Sequence, residues 1–309
     1  MTAADRHRID GHEVIAEPGG SGDDPDMSDV PPDAAGPRDV VPKSVLARGL
    51  RLLDAFGAAD VELSLTELAE RTGLAKPTAF RLLGELVNWG GLERTPRGYR
   101  LSMRLFVLGQ RVPRPRGLRE AALPYLEDLY EATHENIHLA VFDGTDTLFL
   151  EKVSGRRSTP ILSGVGGRLP AYCTATGKLF LALSPPDCLR QVVAGGLVRH
   201  TPRTIIMPGL LRQDLARTLE RGYGINREET EVGVSAVAAP ILDHRRKVIA
   251  AISITGNTQR LDLERLAPAV RTAGLSLSRE LSQATARGTL VVQAPEDRRR
   301  QPPRGRPTS

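Results

Sequence analysis

The sequence predicts an α+β fold with two parts, a small helical head followed by a larger domain on a mainly antiparallel sheet. Three observations support this prediction. Residues 64–90 carry apolar positions at helical spacing on both sides of a glycine turn. A short strand–turn–strand pattern follows this helix pair at residues 92–102. After residue 120, apolar strand patterns joined by tight turns alternate with helical ones, which favours antiparallel pairing.

The helix pair in the head has clear start signals. Ser64 followed three residues later by Glu67 is the pattern of a capping box, and Gly73 supplies the turn. The second helix is expected to begin at Lys76 and Pro77, because proline is tolerated where its missing N–H would be unbonded. The residues expected to be buried are Leu65, Leu68 and Ala69 in the first helix, and Phe80, Leu83, Leu86 and Val87 in the second. A helix at 44–57 is expected to close the core through Leu46, Ala47, Leu50 and Leu53.

The second helix has a small, basic first turn, as is typical of winged helix-turn-helix proteins that read the DNA major groove. Arginine can chelate a guanine edge, and threonine or alanine can touch a thymine methyl. The wing is the hairpin around Pro96-Arg97-Gly98. The residues predicted to contact double-stranded operator DNA are Lys76, Pro77, Thr78, Ala79, Arg81, Arg94 and Arg97. Short helix pairs also occur in ordinary helical domains. The upstream helix and the wing nevertheless favour a DNA-binding domain.

Composition and charge agree with two domains. The 309 residues are 40% hydrophobic, and the net charge of +5 is unevenly placed. Residues 1–42 carry ten acidic side chains against three arginines and are predicted to be a disordered acidic tail. A disordered basic tail is expected at 286–309. The sequence has no signal-peptide core and no apolar run near the roughly 20 residues that span a bilayer, so a cytoplasmic protein without membrane contact is expected.

The predicted domain boundaries follow these patterns: winged helix-turn-helix at 43–104, linker at 105–120, second domain at 121–285. In the linker, Pro113 and Pro115 should interrupt the helix that 105–109 predicts, and a new helix should begin near Gly117, with a kink expected at Pro124. The second domain is expected to contain a hairpin around Asp143-Gly144-Thr145, strands at 235–242 and 248–255, and helices at 175–183, 209–222 and 262–284.

Residues 167–178, GRLPAYCTATGK, resemble a signature of the IclR family of bacterial transcription regulators. TPRTI at 201–205, RGYGINREE at 221–229 and VGVSAVAAPILD at 232–243 follow in the family's order, so the resemblance covers about 43–285. It implies a GAF-like effector-binding domain, a homodimer or a dimer of dimers, and a small-molecule effector without a cofactor. The residues that the resemblance assigns to the effector pocket are Ile161, Leu169, Ala175, Thr176, Asn226, Val234 and Ala236.

The chemistry of this segment suits a ligand independently of the family. Thr174 to Thr176 begin a helix, whose free N–H groups and positive dipole end favour a carboxylate or carbonyl oxygen. Leu169 and Tyr172 are expected to cover the ligand's hydrocarbon or aromatic part. Some family members that bind small keto acids have Asp and Cys where this chain has Asn226 and Ala236, so their ligand is not transferred. The linker prolines likewise depart from a linker helix that is often continuous in the family.

Other motifs are weaker. Gly177-Lys178 is not a phosphate loop, because Tyr172 stands where its first glycine should be. His134 and His138 straddle a predicted helix end and strand start, so no metal site is expected. Cys173 is interpreted as a core or pocket cysteine in preference to a redox sensor. No nucleophile motif predicts catalysis. The alternatives left open are a metabolic enzyme with a fused DNA-binding head and a constitutive DNA-binding protein without an effector.

Overall fold

The computed structural model describes residues 44–57, 60–156 and 158–286, without the side chains of 113–116. The predicted acidic tail at 1–42 lies outside the described residues, as does the basic tail from residue 287 onward. None of the described helices is long and apolar enough to cross a membrane.

The head is a three-helix core with a two-stranded wing, as predicted. Ser64 Oγ accepts a hydrogen bond from the Glu67 N–H, and the Glu67 carboxylate accepts one from the Ser64 N–H, so the capping box is formed. Gly73 then adopts the left-handed conformation that the turn requires, with φ of 68°. The elements are α1 (Val45–Asp54), α2 (Leu65–Thr72), α3 (Lys76–Trp89), β1 (Leu92–Arg94) and β2 (Tyr99–Leu101).

The buried faces of two head helices differ from the prediction. In α1 the buried residues are Gly49 and Leu52, whereas Leu46 is 72% exposed and Leu50 is 49% exposed. The apolar residues of α1 form one wide face, and contact with α2 and α3 buries only the part of it that carries Gly49 and Leu52. In α3 the buried stripe runs through Ala79, Leu82 and Leu83. Phe80, predicted to be buried, is 49% exposed, because it lies about 100° around the helix from Ala79.

The linker prolines separate two helices, α4 (Met103–Gln110) and α5 (Pro113–Thr133). The predicted interruption is confirmed, and it falls at Arg111 and Val112. The second helix begins at Pro113, four residues before the predicted start, because proline in a first turn forfeits no helical hydrogen bond. Pro124 lies inside α5.

The second domain is an α+β fold on a six-stranded antiparallel sheet, with the order β5-β4-β3-β8-β7-β6. The predicted hairpin is present, and Gly144 forms its turn with φ of 72°. The sequence did not predict β5, β6 and α7, which are short elements of three, four and nine residues. The strands are β3 (Asn136–Asp143), β4 (Asp146–Val153), β5 (Arg168–Pro170), β6 (Gly224–Arg227), β7 (Val234–Leu242) and β8 (Val248–Asn257). The helices are α6 (Ala175–Leu183), α7 (Pro186–Ala194), α8 (Pro208–Arg221) and α9 (Leu263–Ala286).

Helices cover both faces of the sheet. The main core lies between the sheet and helices α5 and α9, with Leu126, Val237 and Val270 fully buried. On the opposite face α6 packs against β6, β7 and β8, with α8 behind it. A Cβ atom on Gly224 would lie 2.1 Å from the carbonyl oxygen of Ala175. The glycine at the start of β6 therefore lets the first turn of α6 approach the sheet closely.

Candidate functional site

A cavity opens between the first turn of α6, the sheet, and the loops that precede β5 and follow β6. It contains about 440 Å³ of empty space, including its open mouth. The structure brings together at this cavity all seven residues that the resemblance assigned to a pocket: Ile161, Leu169, Ala175, Thr176, Asn226, Val234 and Ala236. These residues come from five separate parts of the chain, a loop, β5, α6, β6 and β7, so only the fold makes them neighbours.

Several other residues of the lining were missed from the sequence. Ser253 and Thr255 are polar residues at alternate positions of β8, which is otherwise strongly apolar. That alternation was a usable signal, since a strand places such residues on one face. Thr174, which the sequence placed at the ligand-binding helix start, also lines the cavity. The remaining additional residues are Phe149, Leu162, Ser163, Thr230 and Glu231.

The first turn of α6 presents hydrogen-bond donors to the cavity. Thr174 caps the helix, and its Oγ1 accepts a hydrogen bond from the Gly177 N–H at 3.0 Å. The N–H groups of Ala175 and Thr176 lie too early in the helix to bond within it, and both residues line the cavity. A partial positive charge therefore meets the cavity at this wall.

The Asn226 amide is already engaged by the loop after β6. Its Oδ1 accepts a hydrogen bond from the Glu229 N–H at 2.8 Å, and its Nδ2 donates to Thr230 Oγ1 at 2.9 Å. Asn226 lines the cavity as expected, but its side chain also shapes the loop that forms one wall.

A buried ion cluster lies behind this wall. The Lys178 side chain is 2% exposed, and its Nζ lies 2.8 Å from Asp214 Oδ2 and within hydrogen-bond distance of Glu229 Oε1. Burial raises the pKa of the Glu229 carboxyl above its usual value, and the nearby ammonium only partly offsets this effect. A Cβ atom on Gly177 would lie 2.3 Å from Ala171 Cα. The Gly-Lys pair of the signature thus has a structural role that sequence reasoning missed.

His138 occupies the sheet face beneath the cavity. Its Nε2 lies 3.0 Å from Ser163 Oγ, and its ring centroid is 5.1 Å from that of Phe149. Burial lowers the pKa of His138 to about 3, so the imidazole is neutral at physiological pH. His134 instead ends α5 in a left-handed conformation and packs its ring edge-on against Tyr130. Among the described residues, no group of three or more His, Cys, Asp or Glu side chains is placed to hold a metal ion.

Cys173 is fully buried in a small core cluster. Burial raises the pKa of its thiol far above the usual value, which disfavours the thiolate that redox sensing requires.

The candidate DNA-binding surface combines the start of α3 with the wing. Lys76, Pro77, Arg81 and Arg94 are exposed, Thr78 is partly exposed, and the Arg97 side chain at the wing tip is 86% exposed. Ala79 is the exception, because it is fully buried in the head core and has no surface to offer DNA. Phe80 takes its place on the outer face, with the Arg94 guanidinium carbon 5.8 Å from its ring centroid.

Comparisons with known proteins match both parts of the chain. The model of the IclR helix-turn-helix domain matches residues 45–96, and that of the bacterial transcriptional regulator IclR C-terminal domain matches residues 111–279. The HTH-type transcriptional regulator XynR of Escherichia coli is 35% identical over 76% of this chain and 95% of its own. The transcriptional repressor IclR of Escherichia coli is 32% identical over 72% of this chain and 82% of its own.

Solved structures give the same result. An IclR homolog from Microbacterium hydrocarbonoxydans, complexed with 4-hydroxybenzoate, aligns with a TM-score of 0.71 at 32% identity over 78% of this chain and 100% of its own. The IclR of Thermotoga maritima aligns with a TM-score of 0.62 at 29% identity over 77% of this chain and 98% of its own. The chain therefore belongs to the IclR family of bacterial transcriptional regulators.

Proposed function

We propose that this DNA-binding transcription regulator binds its operator through α3 and the wing, and that a small organic or aromatic acid in the cavity changes its operator affinity. The proposal depends chiefly on one observation: seven residues from five parts of the chain converge on one cavity at the start of α6. A concave, mainly apolar site with a few convergent polar groups suits a small ligand.

The lining supports an acid bound through neutral donors. Ile161, Leu169 and Val234 provide apolar walls, and Phe149 provides an aromatic one. Among the described residues that line the cavity, Glu231 is the one with a charged side chain, and there is no lysine or arginine. A carboxylate would therefore be held by main-chain N–H groups and hydroxyls at the α6 start. The Microbacterium neighbour holds 4-hydroxybenzoate, an acid of this kind.

Different residues of the head are proposed to contact the bases and the phosphates of DNA. Arg81, in the second turn of α3, is proposed to read a guanine in the major groove, whereas Lys76 and the wing residue Arg97 contact phosphates. One recognition helix makes too few base contacts to find a site among a genome's competitors. We therefore infer a homodimer or a dimer of dimers on half-sites about one helical turn apart. We also infer that the protein acts in the cytoplasm, because bacterial operator DNA lies there.

Calorimetry tests the coupling between ligand and DNA. The titrant is 4-hydroxybenzoate, and the DNA is a duplex selected by this protein from a random pool. A coupling of about 1–3 kcal/mol is expected between the two sites, and it must be the same in both directions. Equal ligand affinity with and without DNA would mean that a bound ligand does not switch the protein.

Two further readouts complete the test. Thr176→Val should weaken ligand binding, because it removes a hydroxyl at the cavity wall, whereas Thr285→Val on α9 removes a hydroxyl that bonds Leu281 and should not. Unchanged affinity in Thr176→Val would mean that the site is misplaced. Chromatography should recover the ligand unaltered, and its consumption would favour an enzyme with a DNA-binding head.

A further inference from the structure

His138 lies on the cavity side of the sheet. On β3 it is paired with Ser253 of β8 and with Lys152 of β4, and residues directly opposite in antiparallel strands share a face. Ser253 lines the cavity, as does Phe149, against which the His138 ring packs. The imidazole is 1% exposed and therefore lies beneath the cavity lining.

Ser163 connects this buried ring to the cavity. Its Oγ lies 3.0 Å from His138 Nε2, and its carbonyl oxygen accepts a hydrogen bond from Lys152 Nζ at 3.1 Å. Ser163 itself lines the cavity, so a residue of the loop before β5 is held from two sides at the ligand wall. The other ring nitrogen, His138 Nδ1, is buried and has no hydrogen-bond partner among the described residues.

The buried Ser163–His138 pair stabilises the fold less than an apolar pair would. A buried polar group without a partner destabilises a fold, and an apolar pair of similar size would avoid that cost. A neutral imidazole has one donor and one acceptor nitrogen. If Nε2 carries the hydrogen it donates to Ser163 Oγ, and the serine hydrogen is free for a ligand. If Nδ1 carries it, Ser163 donates to Nε2, and its oxygen accepts from a ligand.

We propose that Ser163, positioned by His138, selects effectors that carry a hydroxyl group in addition to their acidic group. A hydroxyl both donates and accepts, so it matches either state of the Ser163–His138 pair. The inference rests on the proposed function of the cavity, and it makes Ser163 the contacting residue and His138 a positioning residue.

Calorimetry on the full-length protein compares benzoate with 2-, 3- and 4-hydroxybenzoate, which differ from it by one hydroxyl. At least one hydroxylated isomer should bind about 10- to 100-fold more tightly than benzoate. Ser163→Ala should abolish that preference by lowering the affinity for the preferred hydroxybenzoate to about that for benzoate. His138→Phe should do the same, and His138→Gln should restore part of the preference because it keeps a neutral hydrogen-bonding side chain. The matched control is Ser235→Ala, a buried serine of β7 bonded to Thr258 outside the lining.

A spectroscopic readout separates positioning from simple stability. In the wild-type protein, the preferred hydroxybenzoate should shift the ¹⁵N signals of His138, and benzoate should leave them in place. If all benzoates bind equally, or if Ser163→Ala lowers every affinity by the same factor, the cavity stands but the hydroxyl selection is wrong. If none of the four compounds binds, the proposed ligand class is wrong, and this inference is wrong with it.

Discussion

Lys178→Met should destabilise the effector-binding domain strongly, and the structure indicates how much. The ammonium is 2% exposed and lies between Asp214 and Glu229, whose side chains are 17% and 7% exposed. Methionine replaces most of the methylene volume, so the cavity term is small and the lost charge dominates. Removing one partner of a buried ion pair costs about 3–5 kcal/mol. For a domain of this size that loss corresponds to a Tm lower by roughly 6–20 °C.

The pH dependence gives the sign of the effect. The pKa of Glu229 is raised above its ordinary value of 4.5 by burial, so its contribution to stability is fully present below that value and is lost as pH rises through the folded pKa. Without Lys178 the Glu229 carboxylate has no cationic partner and is repelled by Asp214. Its ionisation is then more costly, and the loss of stability should therefore be larger at pH 8 than at pH 5. Glu229→Gln in the Lys178→Met background should recover part of the stability at pH 8.

Scanning calorimetry at both pH values measures this effect. The control is Lys247→Met, at an exposed lysine in the turn between β7 and β8, which should change stability by less than about 0.5 kcal/mol. If Lys178→Met is as stable as this control at pH 8, the cluster does not hold the cavity wall in the way that its geometry indicates.

Three other outcomes are expected. Arg81→Ala should weaken operator binding by about 1–3 kcal/mol and relax sequence preference. Arg97→Ala should weaken binding to all DNA sequences equally, and lower by about one the slope of log affinity against log salt concentration. Fluorescence titrations in which the two variants have equal effects on specific and random DNA would contradict this. Because the pKa of His138 falls from 6.5 to about 3 on folding, its contribution to stability is present above pH 6.5 and lost as pH falls toward 3. His138→Gln should flatten that acid limb in denaturant titrations, and an unchanged limb would mean that the ring is not buried neutral. Gly177→Ala should cost about 1–3 kcal/mol and weaken ligand binding, because its Cβ would meet the backbone of Ala171, whereas Gly209→Ala, with nothing within 4 Å, should not.

Local signals predicted α6 to the residue. Thr174 is a good cap, and the apolar residues after it leave no competing start. The cavity residues were found through the resemblance, and Ser253, Thr255 and Phe149 were missed. The strand β8 lies beside β3, more than a hundred residues earlier in the chain, and no local pattern encodes that pairing.

The sequence by itself determined the caps, the turns and the breaks. The Ser64 capping box, the Gly73 turn and the proline interruption of the linker depend on the chemistry of a few adjacent residues, so a reader of the sequence can locate them. Only the tertiary structure decided which faces are buried. Ala79 lies inside and Phe80 outside because α3 must contact two helices at once. The charge of Lys178 is balanced by ion pairs with Asp214 and Glu229, which lie far away in the chain. Burial and pairing depend on which residues lie next to each other in space, and only the fold determines that.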